Sequence, residues 1–293
     1  MSVVDFHTHL FPPGAIDDAS LAPLRARGLL HDMVDRVCGD GSIEPAALRS
    51  YFQAEGVSHS VVLAEVTPLT TGISSNEFVG EFCSGVDGLI PFCAPNPFLE
   101  RDLVRLADKL VSRYGFRGFK IYPSYLPMSP SDSRLYPLYA FAQEAGLPVM
   151  FHTGTSTFPG SRLKWGAPLL LDDVAVDFPD LPLVLAHGGR DLWFDEAFTL
   201  ARIHANVYLE VSGLPASRLL QYFPRLVALD GKVIFGTDFP VLPSVSAAIA
   251  AVHGLGLPRQ FVEDMLAGTA RRLLRLDTQA DPDARDSERH RSR

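Results

Sequence analysis

The chain has 293 residues, 47% hydrophobic and 20% charged, a composition that suits a globular protein with a sizeable core and excludes disorder of the whole chain. Its formal net charge of −8, with no basic block before the extreme C-terminus, argues against nucleic acid as a partner. Cys38, Cys83 and Cys93 form no CxxC pair, and no run has the build of a signal peptide or reaches the ~18 apolar residues that span a bilayer, so a reducing cytoplasm with no membrane partner is expected.

Taken in chain order, eight short β-rich apolar runs alternate with helical patterns, the order that closes a parallel sheet covered by helices. The runs are 3–9 (VVDFHTH), 60–66 (SVVLAEV), 89–94 (LIPFCA), 116–122 (FRGFKIY), 148–153 (PVMFHT), 183–187 (LVLAH), 207–212 (VYLEVS) and 233–238 (VIFGTD). Amphipathic helices are expected at 44–55, 99–114, 136–145, 169–178, 191–203, 216–228 and 245–253, with Pro45 at a helix start and Gly146 and Gly231 at helix ends. Eight strands with these helices make an α/β fold, a single (β/α)8 TIM barrel over 1–276. The segment 277–293 (DTQADPDARDSERHRSR) is nearly without apolar residues and reads as a disordered tail. Three connections, 11–42, 123–135 and 154–168, are longer than a minimal turn and follow strands, where loops tend to carry function.

His7, His9, Lys120, His152, His187 and Asp238 all fall at or near the C-terminal ends of predicted strands, the catalytic face of a barrel. His7 and His9 are two apart in a strand, so both side chains point to one face and can converge on one ion. Imidazole and carboxylate suit a divalent metal, with zinc the default and manganese, iron or cobalt accepted by the same ligands. Any one of these histidines could be a strand-end residue bonded to backbone, but independent core histidines have no reason to share one end of one barrel.

These residues carry a family resemblance. DFHTH at 5–9, GFKIYP at 118–123, LPVMFHTG at 147–154, LAHGG at 185–189, FGTDFP at 235–240 and GTARRLLRL at 268–276 resemble the amidohydrolase superfamily, in its branch of metal-dependent hydrolases and decarboxylases similar to aminocarboxymuconate-semialdehyde decarboxylase. The resemblance implies that His7, His9, His152 and Asp238 bind the catalytic metal, and that His187 is either a second-metal ligand or a proton donor. Asp238 could also accept a proton from water beside the metal. Lys120 divides the readings. In binuclear members a fourth-strand lysine is carboxylated and bridges two metals, whereas the decarboxylase branch generally lacks it; the alternative is a free ammonium that binds a substrate carboxylate or pairs with an acid.

Arg190, after HGG, could hold a substrate carboxylate or form a salt bridge. Tyr122, Glu65, Trp165 and Phe158 are candidates to line the pocket, each with loop packing as the plainer role. Two reactions use such a set: hydrolysis of an ester, lactone or amide by metal-activated water, and non-oxidative decarboxylation of an aromatic or enoic acid. Lys120 and the GFKIYP segment favour hydrolysis, with decarboxylation the runner-up. A barrel that had lost its metal and served as a binding protein is disfavoured because every ligand position is filled. The partner is then a small molecule, and related barrels often form homodimers.

Overall fold

The computed structural model describes residues 2–10, 12, 14–16, 18–20, 22, 44–241 and 244–276. It is a (β/α)8 barrel. The strands are β1 (Val3–His9), β2 (Val57–Leu63), β3 (Leu89–Phe92), β4 (Phe119–Ile121), β5 (Val149–Gly154), β6 (Leu183–Arg190), β7 (Val207–Glu210) and β8 (Val233–Ile234). Each is followed by a helix: α1 (Pro45–Ala54), α2 (Asn76–Cys83), α3 (Leu103–Tyr114), α4 (Tyr136–Ala145), α5 (Asp172–Asp177), α6 (Phe194–Ile203), α7 (Leu219–Tyr222) and α8 (Val245–His253).

The parallel ladder runs in two arcs, β1 to β3 and β4 to β8. Short bridges join them. Cys93 N donates to Gly118 O and Lys120 N to Cys93 O at one seam, while Phe6 N donates to Phe235 O and Asp238 N to His7 O at the other. Residues on alternate faces build two apolar layers. Val4, Phe6, Val61, Phe92, Met150 and Val184 pack inside the lumen, and Ala267, Ala270 and Leu274 of the C-terminal helical segment pack against them. That segment lies at the end where strands begin, since Arg117, just before β4, donates to Leu274 O. The larger layer lies between the strands and the surrounding helices.

The helices expected at 136–145 and 245–253 form with those bounds. The helix expected at 216–228 is broken into single turns, Ala216–Arg218, Leu219–Tyr222 and Leu226–Leu229, because Pro224 in its middle removes a backbone donor. Two elements escaped the sequence reading. α2 is capped by Ser75, whose side chain accepts from Phe78 N. The predicted strand 60–66 stops at Leu63, and Glu65–Thr67 instead pairs antiparallel with Gly72–Ser74 as a small ribbon over the barrel mouth. The tail expected at 277–293 and most of the loop 11–42, with Cys38, lie outside the described residues.

One irregularity in the sheet redirects a histidine. Between Asp5 and Thr8 the register of β1 against β2 slips by one residue, a bulge that re-aims side chains. Neighbours Phe6 and His7 therefore both reach the lumen, where regular alternation would send one outward.

Asp5 ties this bulge to the eighth strand. Buried completely, it accepts from Thr237 N at 2.9 Å, Thr237 Oγ1 at 2.6 Å and His7 N at 3.2 Å. Removing it would orphan buried donors, each costing about 1–3 kcal/mol. Asp5→Ala should therefore lower stability by about 3 kcal/mol and Asp5→Asn, which keeps one acceptor oxygen, by less; the shift of the urea unfolding midpoint measures both.

Candidate metal centre

His7 and His9 come from β1, His152 from β5, His187 from β6, and Asp238 from the turn just past β8. His187 and Asp238 have φ of 64° and 62°, left-handed values at which a non-glycine residue is strained by about 1–3 kcal/mol. Both turn their side chains back toward β1. Asp238 is held there by its own backbone, whose N–H donates to His7 O at 2.9 Å.

The donor atoms face one another. His7 Nε2 lies 3.2 Å from His9 Nε2, and Asp238 Oδ1 lies 3.5 Å from the first and 3.4 Å from the second. His7, His187 and Asp238 each offer a ligand atom within 4.8 Å of the others. The His152 ring is 4.8 Å from that of His187, and its Nε2 is buried without a hydrogen-bond partner.

The opposite ring edges are occupied. His7 Nδ1 meets Ser212 Oγ at 2.9 Å and Glu210 Oε2 at 3.3 Å, and His9 Nδ1 stands 3.2 Å from Glu65 Oε2. With protons on the Nδ1 edges, the two Nε2 lone pairs and a carboxylate oxygen point into one space. Like partial charges at such distances repel, and a cation among them removes the repulsion. The residues therefore fit a divalent metal with nitrogen and oxygen ligands.

Electrostatics agree with that fit. Burial, reinforced by the charge of Lys120, drives His7 and His152 well below the ordinary imidazole range, and burial with Arg190 does the same to His187. The rings are neutral, the form that ligates metal. Burial pushes the Asp238 carboxyl up, but the His9 and His7 ring edges, when they carry a proton, and the standing charge of Arg190 outweigh this and hold it well below the usual carboxylate range.

The other predicted residues occupy distinct places. Lys120 is fully buried in the lumen, with Nζ 3.3 Å from Met150 Sδ and 5.2 Å from the centre of the Tyr122 ring. Burial lowers its pKa, opposed by Glu210, Asp238 and Glu65. Tyr122 donates to Ala64 O at 2.8 Å and stacks on Tyr125. Arg190 donates to Thr155 O at 2.9 Å and brings Nη1 to 3.9 Å from Asp238 Oδ2. Trp165 lies outside the set: it sits in the loop after β5 with Lys164 over its ring and borders no cavity at the site.

Two residues of the site were missed by sequence reasoning, Glu210 and Ser212 at the end of β7. The signal was available, because both are polar groups at the C-terminal end of an apolar run, the rule that found the histidines. Tyr125, against the His152 ring at 4.9 Å, lies in a long loop where no periodicity marks it.

A cleft of about 720 Å³ opens beside Asp238 and Arg190, walled by Thr155, Phe158, Leu214 and Ala248. A deeper pocket of about 40 Å³, bounded by His9, Glu65, Tyr122, Tyr125 and His152, shares Asp238, Arg190 and Phe158 with it. The donors thus stand at the floor of a cavity of ligand size.

Comparison with known proteins agrees with this architecture. The family model described as Amidohydrolase matches residues 4–276, and the chain belongs to that family. Among solved structures, an uncharacterised TIM-barrel protein from Bordetella bronchiseptica is 24% identical, with a TM-score of 0.71 over 95% of this chain and 100% of that one. A dihydroxybenzoic acid decarboxylase from a Polaromonas species, with manganese and the inhibitor 2-nitroresorcinol bound, is 13% identical with a TM-score of 0.68, covering 94% and 97%. A probable 2-pyrone-4,6-dicarboxylic acid hydrolase from Acinetobacter baumannii is 15% identical with a TM-score of 0.64, covering 94% and 99%. At these identities the likeness shows the fold. No curated protein matches the chain.

Gly213 allows Arg190 and Asp238 to approach. It has φ of 66°, and a Cβ there would stand 2.7 Å from Arg190 Nη1 and 2.9 Å from Asp238 Oδ2. Gly213→Ala should cost about 1 kcal/mol from backbone strain alone. A crystal structure of the variant should show the guanidinium displaced from Asp238, beyond its present 3.9 Å.

Proposed function

We propose that the chain is a metal-dependent hydrolase that opens an ester, lactone or amide of a small carboxylate-bearing molecule, using one divalent cation held by His7, His9, His152 and Asp238. The observation that carries this reading is the convergence of His7 Nε2, His9 Nε2 and Asp238 Oδ1 at 3.2–3.5 Å, with a cavity beside them. When bound, the cation supplies Lewis acidity, lowering the pKa of water toward neutrality and polarising a carbonyl. Zinc is the default ion for such ligands, and manganese fits them as well.

The protein's own groups do the rest. Asp238 is ionised and open to the cleft, so it can accept the proton of the attacking water. His187 Nδ1 donates to the carbonyl oxygen of Ser212 at 3.1 Å, which leaves Nε2 free to accept that proton and pass it to the leaving group. Arg190 binds the substrate carboxylate at the cleft wall, and Tyr122, whose phenol burial keeps neutral, bounds the deeper pocket. Lys120 acts as a buried countercharge to Glu210, Asp238 and Glu65.

A second reading, non-oxidative decarboxylation, is favoured by the position of Lys120. Its Nζ is directed at Met150 Sδ, so a lysine bridging two cations gains no support and the preference for hydrolysis drawn from Lys120 weakens. The likeness to a manganese-containing decarboxylase points the same way.

Elemental analysis of protein purified without chelators should find about one equivalent of divalent metal in the wild type, as for a mononuclear catalytic site, and a small fraction of that in His7→Ala and Asp238→Ala. Undiminished metal in both variants would falsify the ligand assignment. On a panel of lactones, aryl esters and hydroxybenzoates, ester or lactone cleavage that is abolished by chelation and restored by zinc or manganese is expected; carbon dioxide release from the hydroxybenzoates alone would establish the second reading instead.

A further inference from the structure

We infer that Glu210 is a positioning residue that, together with Ser212, holds the rings of His7 and His187 with their Nδ1 edges protonated and their Nε2 edges bare before any cation arrives. Neither residue borders the cavities, and together they meet the site through the Nδ1 edges of the His7 and His187 rings. Glu210 is completely buried at the end of β7. Its Oε1 accepts from Ser212 N at 2.8 Å, and its Oε2 from Ser212 Oγ at 2.8 Å and His187 N at 3.2 Å, with His7 Nδ1 3.3 Å from the same oxygen.

With Glu210 ionised, the proton count through Ser212 leaves one arrangement; burial pushes this carboxyl up to about 8, opposed by its bonds to Ser212 and the charge of Lys120. Its single hydroxyl proton goes to Glu210, so Oγ has only lone pairs to offer to His7 Nδ1 at 2.9 Å and His187 Nδ1 at 3.0 Å. The carbonyl oxygen of Ser212, 3.1 Å from His187 Nδ1, can only accept. Both rings must therefore carry their protons on Nδ1. One carboxylate thus sets two histidines from strands on different sides of the barrel seam.

The chain makes room for this carboxylate. A Cβ at position 236 would stand 2.2 Å from Glu210 Oε1 and 2.9 Å from His7 Cβ, so glycine is required there for Glu210 and His7 to meet. The glycine of the FGTDFP motif is explained by this contact and by nothing at the cleft surface. A hydrogen-bonded carboxylate behind a histidine orients the ring and raises its basicity, and losing such a partner costs about 10–100-fold in metal affinity. This affinity effect rests on the proposed ligand set, whereas the ring protonation does not.

Selective 15N labelling of histidine in the cation-free full-length chain reads the ring protonation directly by two-bond proton–nitrogen correlation. The wild type should show His7 and His187 protonated at Nδ1. Glu210→Gln, whose amide can donate where the carboxylate only accepts, should move His7 toward the Nε2-protonated form. Zinc(II) affinity by competition with a chelating dye should fall about 10–100-fold in the same variant, with the circular dichroism spectrum retained. Wild-type His7 protonated at Nε2 overturns the inference whatever the variant does, and so does a Glu210→Gln protein with unchanged ring protonation and zinc affinity. Wild-type rings protonated as expected in a protein that takes up no zinc would uphold the positioning and reject the metal-dependent reading.

Discussion

Two imidazole nitrogens and a carboxylate oxygen held 3.2–3.5 Å apart set the terms for the rest of this structure. With a lone pair on each of the three atoms the arrangement is unfavourable on its own, and burial in a lumen lined by Val4, Phe6, Met150 and Val184 raises the repulsion by lowering the local dielectric. It persists because each element is held from behind. The bulge in β1 aims His7, the left-handed backbone at His187 and Asp238 turns those residues inward, and Glu210 and Glu65 stand at the outer edges of two rings. Strain of this kind is stored where function needs a fixed geometry, and the surrounding packing compensates for it.

Charge follows the same logic. Around the donors, the acids Glu65, Glu210 and Asp238 face the cationic Lys120 and Arg190, while His7, His152 and His187 are neutral. Buried charges of either sign are costly unless paired. A divalent cation would add positive charge to the site and make it attractive to an anionic substrate, which accords with Arg190 at the cleft wall. Lys120 fits as a fixed part of this balance: its stem fills the lumen above the apolar layer and its charge opposes the acids without occupying the cavity.

The barrel and the five principal site residues were legible in the sequence for one reason. Apolar runs of strand length ended in histidine or aspartate at 7, 9, 152, 187 and 238, and a parallel barrel places all such ends on one face. Glu210 escaped although it obeys the same rule, because within VYLEVS it reads as an ordinary polar alternation of a half-exposed strand. The ribbon at Glu65–Thr67 and Gly72–Ser74 and the broken helix after β7 were illegible for a different reason. Their conformations depend on what they pack against, with Thr70 bonded to Tyr125 O and Ala15 O accepting from Ile73 N, contacts between segments far apart in sequence. Trp165 shows the converse. An aromatic in a long loop after a strand satisfied the sequence criterion, yet the loop turns it under Lys164 and away from the cleft.

The site is also part of how the barrel closes. β8 contributes only Val233 and Ile234 to the ladder, so the seam with β1 relies on bonds made by residues beyond the strand. Phe6 N with Phe235 O, Asp5 with Thr237, His7 O with Asp238 N, and Phe239 O with His9 N are those bonds, and every one lies within one residue of a proposed ligand or is made by one. A cation shared by β1, β5 and the turn after β8 would add a crosslink at one of the two seams between the arcs of the ladder. Because the unfolded chain cannot present these atoms together, binding free energy at this site becomes folding free energy. The fold therefore closes this seam with the same residues that bring polar side chains into the lumen, and the ligand they attract would tighten that closure.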